Sequence, residues 1–143
     1  RMLSDDVVLK LGKNENVTSD AIVYARACYS SLLLANACIE KGARAYIGYR
    51  YRFVFIADPN KISRPDEDTN AAYFKTISNT IASTIIKGHC AGDAIERSKQ
   101  ATMKIIQKLE TTEFNTEEAA STLPFLWLDL GGLEIYGDSG ARM

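Results

Sequence analysis

A chain of 143 residues suits one domain with one core, and its 46% apolar and 24% charged residues are the balance of a globular protein. A net charge of −1 gives no electrostatic case for nucleic acid or an anionic membrane as partner, and no apolar run approaches the roughly 20 residues that a membrane span needs. Three cysteines (Cys28, Cys38, Cys90) form no CxxC and no paired framework, which favours a reduced compartment, the cytoplasm, over a disulfide-built one. Arg1-Met2-Leu3-Ser4-Asp5-Asp6 reads neither as a signal peptide nor as an initiator sequence, so a processed product or part of a longer chain is expected, with any localisation signal upstream.

Asp6–Leu11, DVVLKL, is a short strand by its β-branched content, and residues 12–16 form a turn. Residues 21–27, AIVYARA, form a mostly apolar run, as a central parallel strand buried on both faces should. Ser30–Lys41 reads as an apolar helix closed by Gly42, with Cys38 packed in its middle, and Ala43–Tyr49 as the next strand. Strand, helix and strand in about 30 residues make a right-handed crossover between parallel strands. Residues 50–56, RYRFVFI, continue extended until Asp58-Pro59-Asn60.

The polar stretch 61–69 is an exposed loop ending in a helix cap at Asp68 or Thr69. Phe74, Ile77, Ile81 and Ile85 then recur at helical spacing over residues 70–87, and Gly88 closes that helix. Residues 93–110 make another helix, with Ala94, Ser98, Ala101, Ile105 and Leu109 inward. Asn115-Thr116-Glu117-Glu118 caps a short helix. Pro124 falls within or just after it, and residues 133–136, LEIY, are a last strand. With no linker or repeat, residues 1–143 are expected to form one domain. Alternating strands and helices imply a three-layer α/β sandwich with a mostly parallel sheet.

In open parallel sheets, sites form where strands run out into helices, and Cys28 falls at such a corner. A helix N-terminus there would favour the thiolate, the nucleophilic form. A free cysteine that merely packs fits the same pattern.

The run ARACYS (Ala25–Ser30), an apolar helix and then EKGARAYIGY (Glu40–Tyr49) resemble caspase-like cysteine peptidases of the CHAT and gingipain-like type, carried by Ala27, Cys28, Ser30, Gly42, Ala43, Ile47 and Gly48. Ile85–Gly88, Asp93–Ile95 and the closing residues 133–138, LEIYGD, keep the same order, so the likeness covers residues 7–138. The resemblance implies a caspase-like fold and a Cys–His dyad that hydrolyses protein or peptide substrates through a thioester on Cys28, with no cofactor and no metal.

The family's histidine lies upstream of the cysteine, at a place matching Leu11-Gly12-Lys13 or before Arg1, and no histidine stands there. It is therefore expected on an upstream segment or companion chain. His89, in Gly88-His89-Cys90, reads as a turn residue, and one His with one Cys is too few for a structural zinc site.

The resemblance also implies a substrate pocket from the segment after the second strand. Tyr49 and Tyr51, with Phe53, could line it, and Asp58 could receive a basic side chain; Arg50 or Arg52 could receive an acidic one. Edge packing and turn formation explain the same residues equally. Asp66-Glu67-Asp68 reads as a solvated loop or a mobile lid. The competing expectation is a domain without a working dyad, serving as a scaffold in a signalling or defence assembly. A nucleotide-binding sheet is disfavoured, since neither GxGxxG nor a P-loop occurs.

Overall fold

The computed structural model describes residues 8–111 and 116–143. The fold is mixed α/β: a three-stranded sheet with four helices. The strands are β1 (Ile22–Tyr24), β2 (Ala45–Tyr49) and β3 (Leu133–Gly137), in the order β1-β2-β3. The helices are α1 (Leu34–Glu40), α2 (Thr69–Ile86), α3 (Ala91–Thr111) and α4 (Glu117–Gly132).

β1 and β2 are parallel, joined through α1 as the strand-helix-strand pattern requires. β3 runs antiparallel to β2, with Ala45 opposite Gly137 and Tyr49 opposite Leu133. One pairing of each kind replaces the mostly parallel sheet expected. The central strand is β2, buried along its whole length, whereas β1 is three half-buried residues at an edge of the described sheet. The double-sided burial expected for residues 21–27 therefore belongs to AYIGY of β2.

The alternation of β2 divides the core. Ala45, Ile47 and Tyr49 face Ile81 and Ile85 of α2 and Ala91, Ala94 and Ile95 of α3. Tyr46 turns the other way, toward Ala35 and Cys38 of α1. A further cluster joins α2, α3 and α4 through Phe74, Ile77, Ile106, Leu109 and Leu126. That packing carries α4 straight through Pro124.

The helix stripe Phe74, Ile77, Ile81 and Ile85 is buried as expected, and the Asp68 carboxylate caps α2 by accepting from the Ala71 amide at 3.0 Å. Thr116 caps α4 in the same way, through Ala119 at 3.1 Å. Asn115 lies outside the described residues. On α3, Ala94, Ser98 and Leu109 are buried as expected, whereas mid-helix Thr102 and Ile106 are buried in place of Ala101 and Ile105. Thr102 tolerates this because its hydroxyl donates to the Ser98 carbonyl at 2.8 Å.

Three local expectations fail. Of residues 6–11, the first two lie outside the described residues, and 8–11 are bend and turn, not strand. The Asn14 side chain closes that turn by accepting from Lys10 N–H and donating to the Val8 carbonyl. Residues 50–56 run without a strand partner. The helix after Cys28 begins at Leu34 rather than Ser30, because residues 28–32 form turns against the end of β2.

Candidate functional site

Cys28 lies exposed in the turn that follows β1, beyond the carboxyl end of the parallel pair. The position is set by backbone stitching. Ala25 N–H donates to Ile47 O, Ser31 N–H to Tyr49 O and Tyr29 N–H to Tyr51 O, so residues 25–31 run beside residues 47–51 past the end of the regular ladder. Ser30 locks the turn. Its hydroxyl donates to the Ala25 carbonyl at 2.9 Å and accepts the Tyr49 amide at 3.0 Å, and its carbonyl accepts the Tyr46 hydroxyl at 2.8 Å. This approach needs Gly48, since a Cβ there would stand 2.8 Å from the Ser30 hydroxyl and from the Tyr46 ring. Tyr29, next to Cys28, takes φ of 56°, a left-handed conformation unusual for an aromatic residue.

The Cys28 thiol donates to the Phe53 carbonyl, with sulfur and oxygen 3.5 Å apart. Among the described residues no helix N-terminus adjoins it: α1 starts six residues later, so the helix-dipole activation expected from the sequence is not what this geometry supplies. Beside Cys28 opens an apolar groove of about 930 Å³, walled by Val8, Leu11, Tyr29, Leu32 and Leu33 with Tyr46 beneath. Leu33 is 67% exposed, a large aliphatic surface left facing solvent at a concave site.

The pocket residues expected from the sequence scatter. Tyr49 is buried on the opposite face of the sheet, its ring 4.8 Å from Phe53. It cannot line a substrate groove there, because the period-two alternation of β2 turns it toward α2 and α3. Tyr51 is exposed and rests on Gly132. Asp58 is a turn residue whose carboxylate accepts from the Asn60 amide at 2.9 Å, while its own amide donates to Asp68. Arg50 pairs with Glu134, which also accepts from Ser31 and Tyr136. That partnership holds the Arg50 guanidinium above its ordinary range, and the Arg is not left open for an acidic substrate.

His89, the one histidine of the sequence, sits at the other end of the sheet. The neighbouring Ala91 and Gly92 amides donate to Ala141 and Ser139, just past the end of β3, where Gly137 pairs with Ala45. β2 alone, at about 3.3 Å per residue, puts roughly 13 Å between that end and the Cys28 end. Cys38 is fully buried on the inner face of α1, as a packing residue, and Cys90 is half-buried beside His89. Among the described residues, no group of three or more His, Cys, Asp or Glu converges as a metal site would require.

One group at the Cys28 end escaped the sequence reading. Asp129 of α4 is buried, and it accepts the Val54 amide at 3.1 Å through one carboxylate oxygen while the other finds no partner. Burial pushes its carboxyl up to about 7, against the lowering pull of the Val54 amide. The Tyr24 and Tyr49 hydroxyls are also buried without a hydrogen-bond partner. Burial, reinforced by Tyr24 and Asp129, holds the Tyr49 phenol far above its ordinary range, with Arg26 pulling the other way. The signal in the sequence was an aspartate inside the apolar run FLWLDL of residues 125–130.

Comparison with family models, with curated proteins and with solved structures returned no match for this chain.

Proposed function

We propose that this chain is the nucleophile-bearing part of a caspase-like cysteine endopeptidase, a three-layer α/β sandwich in its complete form, with Cys28 as nucleophile. The observation that carries the reading is the exposed Cys28 thiol at the carboxyl end of a parallel strand pair, in the wall of an apolar groove of about 930 Å³. Helices on both faces of the sheet are compatible with the sandwich.

The chemistry requires a general base from an upstream segment or companion chain. An imidazole there takes the thiol proton, and sulfur attacks the scissile carbonyl carbon. The C–N bond then breaks to leave a thioester, and the imidazolium gives its proton to the departing amine. Water hydrolyses the thioester and returns the thiol. Neither metal nor cofactor enters this scheme.

Labelling the chain, together with whatever copurifies with it, by a peptide vinyl sulfone tests the reading, with the modified residue located by mass spectrometry. Selective modification of Cys28 over Cys38 and Cys90 is expected, and Cys28→Ala should abolish both labelling and cleavage. Proteolysis that survives in Cys28→Ala ends it.

A second reading rests on the place of His89, at the far end of the sheet from Cys28. It is a caspase-like domain without a working dyad, acting as a scaffold in a signalling or defence assembly. Labelling no faster at Cys28 than at Cys90, with no cleavage even when copurifying chains are kept, would favour it.

A further inference from the structure

Residues 50–54 form a strap between α4 and the Cys28 turn, and both of its sides are engaged. On the α4 side, Arg50 N–H donates to the Gly132 carbonyl at 2.8 Å and Val54 N–H to Asp129 at 3.1 Å. Tyr51 lies so close over Gly132 that a Cβ there would stand 3.2 Å from its ring. On the other side, the Tyr51 carbonyl accepts the Tyr29 amide at 3.0 Å, and the Phe53 carbonyl accepts the Cys28 thiol. The strap thus occupies two groups that thiol chemistry would use. One is the sulfur, which only in its protonated form can donate to a carbonyl. The other is the amide next to the nucleophile, a natural donor to an oxyanion.

At Asp129 the contact between α4 and the strap is made by a buried carboxylate. Asp129 acts on the Tyr49 phenol of the sheet, as do Tyr24 and the exposed Arg26. The buried faces of α2 and α3 carry no charged side chain.

We propose that Asp129 is a positioning residue for Cys28: by holding the Val54 amide it fixes the strap, and the strap in turn restrains the Cys28 thiol and the Tyr29 amide below their full availability. Displacing the strap frees both at once. The biological meaning rests on the peptidase reading of Cys28, but the geometry does not.

The test uses the full chain and iodoacetamide, a small electrophile that needs neither a peptide groove nor a general base. The rate of Cys28 modification is followed by mass spectrometry, with Cys90 as the internal reference. Asp129→Ala leaves the Val54 amide without its acceptor and should raise the Cys28 rate relative to Cys90 by about tenfold, the population shift that losing one such hydrogen bond allows. Asp129→Asn keeps an oxygen for Val54 and should stay within about twofold of the parent.

An unchanged rate in a folded Asp129→Ala chain overturns the proposal, as does an equal rise in the Ala and Asn variants. Should Asp129→Ala fail to fold, Gly132→Ala pushes the strap away at Tyr51 without touching the carboxylate. It should raise the Cys28 rate and the hydrogen exchange of residues 50–56 together, and no rise in a folded chain overturns the proposal. Acceleration in Asp129→Ala with no cleavage activity even when copurifying chains that could supply the general base are kept would sink the peptidase reading and leave Asp129 in its positioning role.

Discussion

The two ends of the sheet are built by different rules. At the end where β2 begins, the backbone is paired wherever it turns. Asp20 N–H meets the Gly42 carbonyl, Arg44 N–H the Ala21 carbonyl and Asp138 N–H the Arg44 carbonyl, each at 2.8 Å. Arg142 reaches over to the Gly88 carbonyl. At the end where β2 finishes, three buried polar atoms on Tyr24, Tyr49 and Asp129 lack partners, and aliphatic side chains face water around Cys28. A fold keeps unsatisfied polar groups and exposed apolar surface where something other than stability is at stake. The histidine lies at the well-paired end, and the Cys28 sulfur at the other.

The comparison predicts that substitutions at the paired end cost stability, whereas at the Cys28 end some raise it. The largest effect is expected at Gly137, whose φ is +84° and where a Cβ would lie 2.7 Å from the Arg44 carbonyl. Gly137→Ala combines backbone strain with a clash against backbone and should cost about 3 kcal/mol or more in denaturant unfolding. A near-neutral result would show that this end is softer than its hydrogen bonds imply.

Asp129→Asn comes next, with the opposite sign. Its carboxyl is raised from 3.8 to about 7, so the folded state holds a proton more tightly than the unfolded one. The stability it contributes is fully present below about pH 4 and is lost as pH rises through about 7. Asp129→Asn should remove that slope and leave the chain more stable than the parent at pH 8 by about 2 kcal/mol, a figure kept below the bare shift to allow for screening by nearby water. Parallel pH–stability curves for the two chains would contradict it.

Ser30→Ala should cost about 1–2 kcal/mol in urea unfolding, because the Tyr49 amide loses its acceptor inside the fold. Arg142→Ala, removing an exposed donor to the Gly88 carbonyl, should cost under about 1 kcal/mol in thermal unfolding. A larger cost would show that this exposed side-chain cap is held more firmly than its exposure implies.

What the sequence made legible followed local rules. The stripe from Phe74 to Ile85, a cap at Asp68 or Thr69 and one within 115–118, the stop at Gly88 (φ of +85°), and strands expected at 43–49 and 133–136 and found at 45–49 and 133–137 all depend on neighbours a few residues away. What stayed hidden depended on distant partners. Ser30 looked like the start of a helix because nothing nearby shows that its hydroxyl will serve Tyr49, or that the Ser31 hydroxyl will donate to Glu134 at 3.0 Å. Residues 50–56 have strand composition, but the Arg50 and Val54 amides go to α4 instead of to a strand. At the candidate site, Cys28 was singled out from an expected strand-to-helix corner, which the structure makes a strand-to-turn corner with the helix starting at Leu34. Tyr49 was misplaced onto the groove, since the facing of β2 depends on which helices cover each side. Asp129 was visible as a lone carboxylate in an apolar run, but its partner Val54 was not.

The pairing of β2 also sets the order in which this chain can fold. β1 and α1 immediately precede β2, so that half of the sheet can form from local contacts early. The other edge waits for β3, which comes after the whole of α2, α3 and α4. Until then, the apolar strand AYIGY has one side unpaired, an open template for pairing with another chain. The late loop closure makes sheet completion slow, and the three intervening helices, which assemble among themselves, must dock before it finishes. Truncation before Leu133 would therefore leave a sticky sheet edge rather than a smaller stable protein.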